Sequence, residues 1–97
     1  MHRFVFHIPC CRYQNGTLTP APWQQVVEEF SRALYKYTDG FYITDAIGCY
    51  KGRSYPEKLV TAYCDAAVVT DFLRIAHILQ QESYAYEMDG ELVVRCN

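Results

Sequence analysis

No stretch of this 97-residue sequence holds the roughly 20 consecutive apolar residues that a membrane-spanning helix needs. The N-terminus, MHRFVFHIPCCR, also lacks the length of a signal-peptide core and a small-residue cleavage site. Neither a membrane partner nor secretion is therefore expected, and a cytoplasmic location follows as the default. An excess of one charge is missing as well: 11 acidic and 9 basic residues are interspersed and leave a formal net charge of −2. A chain that grips nucleic acid by neutralising phosphates carries a basic stripe, so nucleic acid is not an expected partner. Nor does the composition suggest disorder or low complexity, because 51% of the residues are hydrophobic, which is enough for one compact domain over residues 1–97.

The usual chemical signatures are absent too. There is no P-loop, dinucleotide-binding glycine run, H-E-x-x-H or nucleophile elbow, and hence no expected cofactor. Five cysteines, Cys10, Cys11, Cys49, Cys64 and Cys96, form no C-x-x-C pair and are odd in number. They make neither a disulfide framework nor a zinc site, so no metal is expected. Cys49, Cys64 and Cys96 lie in strand-like surroundings and read as reduced core thiols. Cys10-Cys11 follows a proline at a strand end, where an exposed thiol could serve a redox or metal role beside His7. An RNA-recognition sheet would need aromatic platforms on its two central strands. Phe4 and Tyr63 are the candidates, but the basic motif that accompanies them is missing, and Tyr63, like Tyr37, is expected to extend the core.

What the chain has in surplus is aromatic residues, 15% of the total, with nine tyrosines. A tyrosine buries a ring and keeps a hydroxyl near water, so the surplus suits a contact surface as well as a core. Apolar residues alternate from His2 to Ile8, putting Phe4, Phe6 and Ile8 on one face and Arg3, Val5 and His7 on the other, which predicts a first strand. Arg12 to Thr19 reads as a polar loop around the Asn15-Gly16 turn signal. Thr19 is the expected N-cap of a helix with Pro20 in its first turn and a stripe of Trp23, Val26, Val27, Phe30, Leu34 and Tyr37. Asp39-Gly40 is expected to stop it, with Gly40 left-handed.

Phe41 to Tyr50 predicts a second strand in which Asp45 shares a face with Phe41, Ile43 and Ile47, so a bulge or a polar partner is expected there. Lys51 to Pro56 reads as a hairpin connection to a third, antiparallel strand over Glu57 to Cys64. Asp65 should cap a second helix with the stripe Val68, Phe72, Ile75, Ala76 and Leu79, leaving His77 in solvent. Tyr84 to Met88 begins a fourth strand, and Asp89-Gly90 predicts a hairpin to Glu91 to Cys96.

The order strand, helix, strand, strand, helix, strand predicts an α+β, ferredoxin-like βαββαβ domain with both helices on one face of an antiparallel sheet and a C-terminal β-hairpin. The run Gly40-Phe41-Tyr42-Ile43-Thr44-Asp45-Ala46-Ile47-Gly48-Cys49-Tyr50-Lys51-Gly52, then Glu57 before a strand and Gln80-Gln81-Glu82-Ser83 before another, resembles a loose set of small bacterial ferredoxin-like proteins. That resemblance spans about residues 40 to 90. It implies the same fold and no catalytic residue.

Two helices on one face leave the other open, and the expected open-face set is Val5 and His7, then Tyr42, Thr44, Ala46, Gly48 and Tyr50, then Tyr84 and Tyr86 or their neighbours, since a one-residue shift in register swaps the sets. An apolar sheet face of this kind is a contact surface. The expected function is a noncatalytic homodimeric module that recognises a protein or small ligand through His7, Tyr42, Tyr50, Tyr84 and Tyr86, in the manner of a compact phage-type inhibitor. The alternative is a small cofactor-free dimeric α+β-barrel enzyme, isomerase- or monooxygenase-like, in which His7, Asp45 and Glu57 would meet for proton abstraction.

Overall fold

The computed structural model describes residues 1–96, and the two helices and the strands around them share a single buried core. The elements in chain order are β1 (His2–Pro9), β2 (Cys11–Gln14), β3 (Thr17–Pro20), α1 (Trp23–Leu34), β4 (Phe41–Tyr50), β5 (Arg53–Cys64), α2 (Val68–Ala76), a 3-10 turn (His77–Leu79), β6 (Ser83–Met88) and β7 (Glu91–Cys96). Five strands form one sheet in the order β4-β5-β1-β6-β7, and every neighbouring pair is antiparallel. The predicted α+β class, two helices and C-terminal hairpin are present. The sheet is not a plain four-stranded βαββαβ arrangement, because β7 adds an edge strand and β2 and β3 form a separate hairpin.

Turn chemistry explains the added hairpin and the long β4-β5 ladder. Asn15-Gly16, Lys51-Gly52 and Asp89-Gly90 all have positive φ at both positions, the backbone of a two-residue hairpin turn whose twist matches the strands it joins. Thus the segment expected to be a polar loop pairs Cys11 with Pro20 through Gln14 with Thr17. Thr19 is consequently a strand residue rather than a helix cap, its hydroxyl donating to the Arg12 carbonyl. Helix α1 instead starts at Trp23 behind Pro22, whose ring holds φ near −77°. It ends at Leu34, earlier than Asp39, and Gly40 does not adopt positive φ. Strand β5 likewise begins at Arg53, because the tight Lys51-Gly52 turn leaves no room for a longer connection.

The core lies between the helices and one face of the sheet. Phe4, Phe6 and Ile8 of β1, Val26, Phe30 and Leu34 of α1, and Val68, Phe72 and Leu79 are completely or almost completely buried. The Phe6 ring sits 4.7 Å from both Phe30 and Phe72, the former edge-on, so one strand residue joins both helices. The stripe predicted for α2 is buried throughout, but Asp65 is not its cap: the cap residue is Ala67, with no side-chain cap hydrogen bond, and Asp65 closes the turn before the helix by accepting the Ala67 N–H at 2.8 Å. His77 is exposed, as its place on the helical wheel requires. Among the described residues, no helix is long and apolar enough to cross a membrane.

Candidate functional site on the open sheet face

Register fixes what the uncovered face displays. Because Phe4, Phe6 and Ile8 point at the helices, Arg3, Val5 and His7 point away. Pairing carries that side across the sheet: Val5 faces Thr61, Thr61 faces Tyr42, Val5 also faces Glu87, and Glu87 faces Leu92. His7 pairs with Leu59, which pairs with Thr44, while Ala46 pairs with Glu57 and Gly48 with Tyr55. Val94, two residues beyond Leu92 along β7, completes the row.

His7 is the centre of this surface. Its Nδ1 lies 3.4 Å from Glu57 Oε1, and its Nε2 lies 3.9 Å from Glu87 Oε2. Glu57 is only 7% exposed, an unusual depth for a carboxylate, and the His7 ring beside it offsets part of its loss of water. The hydrogen bond with Glu57 raises the His7 pKa above the ordinary value, against the opposing effect of burial, and the charges of Glu57 and Glu87 add to the rise. His7 Nε2 itself is buried without a hydrogen bond among the described residues. The Tyr55 ring lies over Gly48, so close that a Cβ there would stand 2.7 Å from its atoms. Burial, and then the neighbouring Glu57 charge, push the Tyr55 hydroxyl pKa up.

Around this polar centre the face is aromatic and aliphatic. Tyr42 and Tyr50 are well exposed, as expected, and so are Tyr63, Leu92 and Val94. Val5 and Thr61, at the middle of the sheet, are nevertheless buried.

Three sequence expectations are corrected here. Tyr84 and Tyr86 are buried on the helix side, where Phe72 and Tyr86 rings lie 6.2 Å apart, because β6 turns Ala85 and Glu87 outward instead. Asp45 does not approach His7. It pairs with Lys58 on the helix side, which is the polar partner its position called for, and the ladder runs past it without a bulge. Tyr63 belongs to the open face rather than to the core. Of the trio expected in an enzyme, therefore, His7 and Glu57 come together and Asp45 does not. Sequence reasoning left Glu87 only as a neighbour of the favoured tyrosines and missed Thr61, Leu92 and Val94, although the alternation that placed Val5 and His7 outward would have found them once the strands were aligned.

The cysteines also divide differently from expectation. Cys10 and Cys64 are buried, Cys11 is partly covered, and Cys49 and Cys96 are exposed. Burial raises the Cys10 pKa, and the thiol expected to be exposed after Pro9 is in fact covered. No cluster of three or more metal-ligating side chains occurs among the described residues. Phe4, fully buried, cannot serve as a platform for a base. A shallow depression of about 510 Å³ lies between α2 and β7, lined by Leu73, Arg74, His77, Tyr84, Arg95 and Cys96. Tyr84 is the only one of the predicted site residues that borders it. Compared with family models, curated proteins and solved structures, the chain finds no match.

Proposed function

We propose that the chain is a noncatalytic binding module that acts as a homodimer through the open face of its sheet. The reading keeps the four strands β1, β4, β5 and β6 and the two helices as a ferredoxin-like unit, as the resemblance to small bacterial proteins of that fold suggests, with β7 and the β2-β3 hairpin as additions. One observation carries it: Tyr42, Tyr63, Leu92 and Val94 stand more than half exposed on a sheet face that no described helix covers. Exposed apolar side chains gathered on one surface mark a contact site, and tyrosines are among the residues enriched in such contacts. A protein or small ligand would meet the same surface, with His7, Tyr42 and Tyr50 as its anchors. Light scattering on the eluting protein tests the dimer. A mass of twice the 11.3 kDa chain at micromolar concentration is expected, and a single-chain mass would overturn it.

The enzymatic reading, a cofactor-free dimeric isomerase or monooxygenase, has one observation in its favour, the His7–Glu57 pair at 3.4 Å. A carboxylate that orients an imidazole suits proton abstraction. The pair sits on an open surface rather than in an enclosed cavity, which favours the binding module. His7→Ala with unchanged melting temperature and lost turnover on an aromatic substrate would reverse that preference.

A further inference from the structure

The open face carries charges of both signs, and their arrangement bears on what covers it. His7 Nδ1 and Glu57 pair within the face, 3.4 Å apart. Arg53, at the turn end of β5, lies over the Tyr13 ring at 4.2 Å. Among the described residues of the face, that leaves one cation and one anion. The Arg3 side chain has no hydrogen-bond or ion-pair partner among the described residues, although its backbone is held by Asp89. Glu87 is 37% exposed and has only the long contact of 3.9 Å with His7. Arg3 and Glu87 stand on adjacent strands. Because Glu87 pairs with Val5, they are offset by two residues along β1, about 8 Å apart at the backbone.

A surface with one free cation and one weakly held anion, set among exposed apolar residues, is self-complementary. A two-fold axis lying between two such faces can exchange the two positions, so the same cation–anion pair forms twice in one symmetric interface. A partner of one sign would leave either Arg3 or Glu87 buried without compensation, which costs more than a rim charge returns.

We infer that the occupant of the open face is a second copy of this chain, seated so that Arg3 of each copy pairs with the partner's Glu87. The inference rests on the homodimer reading above and names the contacts that set its geometry. Tyr42, Tyr63, Leu92 and Val94 supply the apolar area around the two ion pairs, and the ion pairs fix the relative orientation.

A charge-swap cycle on the full chain tests it, with the dimer dissociation constant read by sedimentation equilibrium for wild type, Arg3→Glu, Glu87→Arg and the double variant. Each single reversal is expected to weaken the dimer by about tenfold or more, and the double variant to recover most of that loss. Melting curves of the four proteins, together with the milder Arg3→Gln, separate lost association from lost folding. Unchanged singles, or a double variant as weak as the sum of its parts, would overturn the Arg3–Glu87 assignment while leaving the dimer standing. A wild type that stays monomeric throughout would overturn both.

Discussion

On the helix-covered side of the sheet, β1 presents Phe4, Phe6 and Ile8 with no solvent exposure, whereas on the other side the same strand presents Arg3, Val5 and His7. The first set is apolar, interlocked with α1 and α2, and already complete. The second mixes a cation, an aliphatic side chain and a histidine held by a carboxylate, among tyrosines that remain in water. The contrast teaches that the chain's aromatic surplus divides into two sets with different surroundings. Phe4, Phe6, Phe30, Phe72, Tyr84 and Tyr86 hold the fold, while Tyr42, Tyr50 and Tyr63 contribute little to it and are available for contact.

The largest effect that would break this division belongs to the covered side. Phe6→Ala should remove the ring that joins both helices and destabilise the chain by about 3–5 kcal/mol, measured by urea unfolding. If the comparison holds, Tyr42→Ala should change unfolding of the separated chain by no more than about 0.5 kcal/mol, because its ring is exposed. The same substitution should weaken self-association, and a loss of stability comparable to that of Phe6→Ala would erase the distinction between the faces.

A smaller effect sharpens the view of the covered side. The Tyr37 hydroxyl donates to Asp71 Oδ2 at 2.6 Å, tying the chain after α1 to α2. That bond, with the Arg74 hydrogen bond next, holds the Asp71 pKa below its ordinary value. Tyr37→Phe should cost about 1 kcal/mol and let the Asp71 pKa rise, as followed by carboxyl NMR titration.

The smallest effect concerns the polar centre of the open face. Since Glu57 raises the pKa of His7 in the folded chain, folded protein binds the proton more tightly than unfolded protein. The resulting stability is fully present below the ordinary histidine value and is lost as pH rises through the raised one. Glu57→Gln should bring the His7 pKa down and flatten that dependence. An imidazole titration unaltered by the substitution would separate the two side chains that the structure joins.

Much of the fold was legible because its signals are local. Three dipeptides, Asn15-Gly16, Lys51-Gly52 and Asp89-Gly90, specify hairpin turns by their need for positive φ, and the Phe72-centred stripe of α2 follows helical spacing. The β2-β3 hairpin was hidden because Arg12 to Thr19 has too little apolar alternation to announce a strand, although its turn was visible. The site was harder to see because it depends on strand parity. In β6 the tyrosines and the charged Glu87 occupy alternate positions, and the charge, rather than the hydroxyls, decides which side faces water. Asp45 and Glu57 looked equally able to approach His7 in the sequence. Twelve residues apart around the hairpin, they fall on opposite faces, and only the β4-β5 register separates them.

The account stands or falls on whether the open face is covered in solution. Footprinting of tyrosines by a carbene reagent across a dilution series measures this directly, with exposed Tyr35 as the internal control because it lies outside that face, in the turn that follows α1. Tyr42 and Tyr63 should be protected at high concentration and become labelled on dilution, while Tyr35 stays labelled throughout. Equal labelling of all three at every concentration would contradict a covered face.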